Sequence, residues 1–319
     1  MAWRFRESTT TGAKPFTREV VLAELTARYP AISLPADSLP PTVLAQENLV
    51  FDASAKPPLT LDVYRPEGNK TLPAVLVVHG GGWERGERNM ERPFAKRLAA
   101  LGFVAVPVSY RVGPAGRFPN ALFDLKSAVR WLRANAMRFA LDPQRLGAVG
   151  ASAGGQLVAL LGASNGVERL EGPGPHRELS SRVQAVVDID GLADFTAGPL
   201  LEKEAHSPGA PTRFLGGPFI ERATTWRDAS ALTHVGARSA PTLFINSSAA
   251  TPILPGRAEM VKKLGSVGIA ASVIVMPNTP HPFWLLNPWF QETLRDAARF
   301  LREQLDASVE HNHDQQQHD

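Results

Sequence analysis

The chain has no cysteine. Disulfides, thiolate-bound metals and a cysteine nucleophile are therefore excluded, and the composition fits a reducing compartment. Long hydrophobic runs are missing too: no stretch approaches the ~20 apolar residues that cross a bilayer. Blocks of like charge are absent. The 34 basic residues face 31 acidic ones, a formal net charge of +3, and so small and scattered an excess leaves no footprint for nucleic acid. The start, MAWRFRESTTTGAKPFTREVV, has neither an apolar h-region nor a small-residue cleavage site. No signal peptide, and hence a cytoplasmic location, is expected. Internal repeats are absent.

A length of 319 residues suits one large domain with an insertion better than two unrelated domains. Residues 1–44 read as a polar arm, a helix from Thr17 and a linker holding Pro30, Pro35, Pro40 and Pro41. The main domain is expected over 45–305. It opens with two strand-like runs, Glu47–Asp52 and Leu59–Arg65, paired antiparallel at a sheet edge. A different rhythm follows. AVLVV (74–78), FVAVPVS (103–109), RLGAVG (145–150), VQAVVDID (183–190), PTLFIN (241–246) and ASVIVM (271–276) are short apolar strands. Helical segments near 91–101, 120–139, 153–163, 257–265 and 288–305 alternate with them. Such alternation predicts an α/β fold, a mostly parallel sheet with helices on both faces. Residues 191–235, rich in Gly, Pro and aromatics, read as a small insertion over the sheet's C-terminal edge. Residues 306–319 read as a disordered polar tail. The tail's His311, His313 and His318 invite a metal reading, but nothing there fixes a coordination geometry, and no metal or cofactor is expected.

The strongest chemical signal is Gly150-Ala151-Ser152-Ala153-Gly154, where a strand ends and an apolar helix begins. That context turns G-x-S-x-G into a nucleophile elbow. The serine sits on a strained turn, so both glycines must lack side chains that would collide with neighbouring backbone. The helix N-terminus behind Ser152 offers N–H groups to a developing anion. His79-Gly80-Gly81-Gly82-Trp83 directly follows AVLVV. Three glycines let backbone approach a substrate, and their N–H groups can point at a carbonyl oxygen as it becomes an oxyanion. A phosphate loop is the rival reading, but the Gly-Lys-Ser/Thr ending and the G-x-G-x-x-G pattern are both missing. His79 reads as a brace for this loop.

A serine nucleophile needs an imidazole within hydrogen-bond reach. Of the eight histidines, His281 alone follows the last predicted strand and precedes the final helix, which is where this arrangement places its base.

The pairing of HGGGW with GASAGG, followed by a late His-Pro-Phe-Trp, resembles α/β-hydrolases of the acetyl-esterase, feruloyl-esterase and hormone-sensitive-lipase group. The closer likeness is to bacterial carbohydrate esterases, including pectin-acetylesterase-like members. It is carried by VVDIDGLADF (186–195), DASALTHV (228–235), PTLFINSS (241–248), GRAEMVKKL (256–264) and TPHPFWLLNPWF (279–290). The resemblance implies an α/β-hydrolase fold and a serine esterase acting on short acyl, acetyl-type esters of plant-polysaccharide-derived sugars. It implies Ser152 as nucleophile, His281 as base, and backbone N–H groups of Gly81, Gly82 and Ala153 as the oxyanion hole.

The acid departs from the pattern. Many relatives carry an aspartate in Gly-x-x-Asp-x-x-Val-Pro after the strand matching PTLFIN, but here Ala250 and Thr251 fall at that place. Glu259 is the only carboxylate between Asn246 and His281 and becomes the first candidate, against its reading as an exposed residue in a helix's first turn. Asp190 and Asp194, after the preceding strand, stand in reserve, each with a loop-brace reading beside it. Trp83, Phe219, Phe283, Trp284 and Trp289 are candidates to wall a substrate pocket, with core packing the better reading for Trp289. The expected partner is a small-molecule ester. A catalytically silent ligand-binding fold, motivated by the missing aspartate, and a serine peptidase of the same fold are the alternatives.

Overall fold

Eight strands form one sheet whose parallel part carries the site at its C-terminal edge. The structure is a computed structural model and describes residues 16–248 and 254–316. The strands are β1 (Val43–Asp52), β2 (Leu59–Pro66), β3 (Leu72–Val78), β4 (Val104–Val108), β5 (Leu141–Ala151), β6 (Ala185–Ile189), β7 (Thr242–Ser247) and β8 (Ala271–Met276). Their spatial order is β1-β2-β4-β3-β5-β6-β7-β8. The first pair is antiparallel and β2 meets β4 antiparallel, while β4, β3, β5, β6, β7 and β8 run parallel to one another. The strands anticipated from apolar runs thus form, within a few residues of their expected ends.

The central strands are apolar on both sides because both sides are covered. On one face lie α3 (Asn120–Ala134), α5 (Ala153–Ala163) and α10 (Arg257–Ser266), whose buried residues join Leu76, Ala148, Val186 and Phe244 in one core. On the other lie α1 (Arg18–Leu25), α2 (Arg92–Ala100) and α11 (Trp289–Gln316), around Val75, Val77, Val149, Val187 and Ile245. Alternate strand residues therefore enter opposite cores, as the pleat requires. Fully buried leucines such as Leu157, Leu160 and Leu161 of α5 contribute about 1.5–3 kcal/mol each relative to exposure. Close approach explains the small residues of that helix: a Cβ on Gly162 would stand 2.5 Å from Val186 Cγ2.

The segment expected as an insertion holds α6 (Gly198–His206), α7 (Ala210–Phe214), α8 (Phe219–Ala229) and α9 (Ala231–His234). The short α4 (Ala136–Phe139) ends α3's excursion. Two boundaries differ from expectation. The segment before residue 45 is not separate: α1 buries Val21 in the second core, Ser33 bridges Asn287, and β1 already begins at Val43. The tail expected to be disordered begins inside α11, which runs to Gln316, because its polar, alanine-bearing start simply continues an established helix. Residues 1–15 of the arm and 317–319 lie outside the described residues, as do the side chains of His311, His313 and His318. Among the described residues no helix is long and apolar enough to cross a membrane.

Candidate active site

Ser152 stands between β5 and α5 with φ 54° and ψ −118°. Non-glycine backbone in that region is costly, on the order of 1–3 kcal/mol, and persists only where its surroundings enforce it. They do so here. Ser152 N–H donates to Ile189 O at 2.7 Å, while the two motif glycines allow the turn to close. A Cβ on Gly150 would lie 2.3 Å from Gly154 O, and one on Gly154 would lie 2.3 Å from Val78 O. No alanine fits either place, so the sequence reading of the elbow has a steric basis.

The glycine loop after β3 leans on this elbow. A Cβ on Gly80 would lie 3.1 Å from Ser152 Cβ. His79, buried and stacked 4.3 Å from the Tyr110 ring, donates from Nδ1 to Gly80 O at 2.8 Å. Tyr110 Oη–H in turn donates to His79 O at 2.8 Å. Burial pushes the imidazole pKa down to about 4, so His79 is a neutral brace. Gly81 and Gly82 both adopt positive φ, 122° and 63°. Ala153 is the first residue of α5, where an N–H has no intrahelical partner. Among the described residues no protein acceptor takes the N–H groups of Gly81, Gly82 or Ala153.

His281 lies in the loop after β8. That loop is pinned to the end of β7: Thr279 N–H donates to Ser248 Oγ at 3.0 Å, and Ser248 N–H donates to Thr279 Oγ1 at 3.1 Å. The imidazole reaches Ser152 Oγ from Nε2 at 2.9 Å and Asp190 Oδ2 from Nδ1 at 3.0 Å. A carboxylate can only accept. Nδ1 therefore carries the proton, and Nε2 is left to accept from the serine hydroxyl. The imidazole side chain is 41% exposed, whereas that of Asp190 is fully buried. The second oxygen, Asp190 Oδ1, accepts Ser247 N–H at 2.6 Å. Asp190 itself sits at φ 50° just past the end of β6.

The first-ranked acid, Glu259, is not brought to His281. Glu259 is exposed in the first turn of α10, where its charge suits the helix N-terminus, and the carboxylate on His281 belongs to the reserve candidate Asp190. Asp194 Oδ1 accepts the N–H and the hydroxyl of Thr196 and braces its own loop. Ala250 and Thr251 lie outside the described residues. Three of the aromatics expected to wall a pocket, Trp83, Phe283 and Trp284, are buried. Phe283 and Trp284 are buried in the second core, with Trp284 meeting the imidazole edge-on at 5.4 Å. Phe283 in turn packs edge-on against Trp284 at 5.8 Å, within the single helical turn Phe283–Leu285 that follows the histidine. Trp83 is also buried. It stacks on Phe214 at 4.9 Å, and its Nε1–H donates to Gln156 Oε1 at 2.9 Å. Gln156 Nε2–H donates to Ala229 O, so Trp83 fastens the insertion to the glycine loop. Phe219 packs edge-on against Trp226, and Trp289 against Tyr29.

Sequence reasoning missed Asp188 and Arg257, a buried ion pair at 3.0 Å beside Asp190. The available signal was Asp-x-Asp at the end of an apolar strand, where a carboxylate is costly to bury unless it is paired.

The BD-FAE family profile matches residues 61–263, more than half of the chain. The chain belongs to the BD-FAE family. It is an α/β-hydrolase, in keeping with the fold and elbow described above. Among curated relatives, it is 31% identical over 225 residues to the probable carboxylic ester hydrolase LipM of Mycobacterium tuberculosis, covering 68% of this chain and 51% of that one. It is 27% identical over 249 residues to an ethyl acetate hydrolase of Pseudomonas putida, covering 73% and 74%. Among solved structures, the propionate-bound esterase Est2 of Thermogutta terrifontis superposes with a TM-score of 0.66 at 25% identity, covering 82% of this chain and 94% of that one. The BD-FAE chain spans little more than half the length of the first mycobacterial relatives it matches, 51% to 58%.

Proposed function

We propose that this BD-FAE chain hydrolyses carboxylic esters by two-step acyl transfer, with Ser152 as nucleophile, His281 as general base and Asp190 as the acid. The observation that carries the reading is the unbroken path from Ser152 Oγ through both imidazole nitrogens to the buried Asp190 carboxylate, at 2.9 and 3.0 Å. His281 Nε2 takes the hydroxyl proton as Ser152 Oγ attacks the ester carbonyl carbon. Asp190 stabilises the imidazolium and keeps its ring oriented. The N–H groups of Gly81, Gly82 and Ala153 receive the oxyanion. The carbon–alkoxide bond breaks as Nε2 returns the proton to the leaving alcohol. Water, deprotonated by the same nitrogen, then frees the acid and restores Ser152.

On the acyl side the reading is a short chain of acetyl type. The Est2 structure with bound propionate and the relative named for ethyl acetate both support it. On the alcohol side it is a sugar, from the resemblance to carbohydrate esterases. Asp190 on the imidazole removes the motive for a catalytically silent fold, since that reading rested on a missing acid. The test is p-nitrophenyl acetate hydrolysis by the wild type and Ser152→Ala, followed by an acyl-length series, sugar acetates and methyl ferulate. Equal activity of wild type and variant would remove the serine mechanism. A rate rising steadily with acyl length would remove the short-chain substrate class.

A further inference from the structure

Asp190 holds an unfavourable backbone angle, and the next residue shows what keeps it there. Gly191 is gripped from both ends. Its N–H donates to Asp188 Oδ1 at 2.7 Å, and its carbonyl accepts Arg257 Nε–H. Arg257 Nη2–H donates to the same Asp188 oxygen at 3.0 Å, closing a ring of three residues. Both side chains are buried, at 0% and 4% exposure, and the guanidinium lies 5.2 Å over the Phe244 ring. Asp188 also touches the nucleophile's helix: a Cβ on Gly155 would stand 2.3 Å from Asp188 Oδ1, and one on Gly191 would stand 2.2 Å from Gln156 N. One carboxylate therefore abuts α5 behind Ser152 and the turn that presents Asp190.

General stability is a poor explanation for such a pair. Removing two charges from water is costly, and a buried ion pair is often replaced by apolar residues without loss of stability. Here the pairing is incomplete, since among the described residues Asp188 Oδ2 and Arg257 Nη1 have no hydrogen-bond partner. Burial pushes Asp188 up to about 6 against the pull of Arg257, so the site pays for this charge rather than profiting from it. What the pair does supply is geometry: two fixed prongs on the peptide that follows Asp190.

We propose that Arg257 and Asp188 are the positioning pair of the active site, clamping the Asp190–Gly191 turn so that the Asp190 carboxylate meets His281 Nδ1 while staying in register with the Ser152 elbow. The inference rests on the triad reading above. Neither residue touches substrate; both act through Asp190.

The experiment compares wild type, Arg257→Met, Arg257→Lys and the double variant Asp188→Asn/Arg257→Met, using p-nitrophenyl acetate kinetics and the low-field proton resonance of His281 Nδ1–H. The double variant leaves no unpaired charge behind, so it folds even where Arg257→Met alone does not. The expected result for the folded double variant is a fall in kcat of about 10²-fold, the scale of an ångström-sized misplacement, with KM within about twofold of wild type and the resonance lost. Arg257→Lys, still cationic, recovers part of the rate. A folded double variant with wild-type kcat and an unchanged resonance would overturn the proposal. Ser152→Ala and Asp190→Asn run alongside: if both are inactive while the double variant is fully active, the positioning role alone fails. If Ser152→Ala retains activity, the triad reading itself fails.

Discussion

At the nucleophile end of the site, Gly150 and Gly154 bring bare backbone so close that an added Cβ would stand 2.3 Å from a carbonyl oxygen. At the acid end, the same task of holding a residue at positive φ falls to a buried carboxylate and a buried guanidinium, Asp188 and Arg257. Both ends enforce an unfavourable turn, one by the absence of side chains and the other by charge. Steric enforcement tolerates no added atom but is indifferent to pH. Enforcement by charge accepts changes of shape but responds to protonation and to loss of a partner.

The largest expected effect lies at the nucleophile. Ser152→Ala lowers kcat toward p-nitrophenyl acetate by at least about 10⁴-fold, while circular dichroism and melting temperature stay at wild-type values. Next comes Gly154→Ala. Its Cβ meets Val78 O and His79 O, both backbone, and the overpacking costs about 1–3 kcal/mol, to be read from urea midpoints.

Two buried groups beside these ends, His79 under the glycine loop and Asp188 itself, titrate with opposite sign. His79 falls from 6.5 in the unfolded chain to about 4. Between those values the unfolded chain binds more protons, so this group's contribution to stability is lost as pH drops from 6.5 to 4. Asp188 rises from 3.8 to about 6. There the folded chain binds more protons, so its contribution is lost as pH climbs from 3.8 to 6. Relative to wild type, His79→Asn should therefore lose less stability as pH falls across this window, and Asp188→Asn less as pH rises, the buried Glu91, raised to about 7, contributing alike to all three proteins. Urea unfolding at pH 4.5 and 6 separates the two; identical slopes in both variants would break the contrast.

The smallest effect is at Gly265, inside α10, the helix that Arg257 opens. A Cβ there meets nothing within 4 Å. Gly265→Ala should stabilise by about 0.5–1 kcal/mol, in contrast to Gly154→Ala.

What the sequence makes readable follows the same division. Apolar runs such as AVLVV announce buried strands because both faces of the sheet are covered. Steric necessity leaves a local trace, so Gly150, Gly154 and the glycines after His79 can be read directly. Charge leaves none. The acid's partner, His281, is 91 residues away, and Arg257 meets Asp188 across 69 residues. Reasoning that looked first after β7 ranked Glu259, which is exposed on α10, ahead of Asp190 and Asp194. Only the three-dimensional pairing of β6 with β7, which sets Asp190 beside Ser247, distinguishes Asp190 from its neighbours. Phe283 and Trp284 misled for a related reason: an aromatic next to a reactive histidine in sequence can equally well lie beneath it.

The most direct measurement of the central claim is a side-by-side comparison of Asp190→Asn and Glu259→Gln in p-nitrophenyl acetate hydrolysis. With Asp190 orienting His281, Asp190→Asn lowers kcat by about 10²- to 10⁴-fold, the upper figure being the loss known for the equivalent change in a serine protease, and Glu259→Gln stays within about twofold of wild type, the near-neutrality expected of an exposed side chain. An active Asp190→Asn beside a disabled Glu259→Gln would contradict the account.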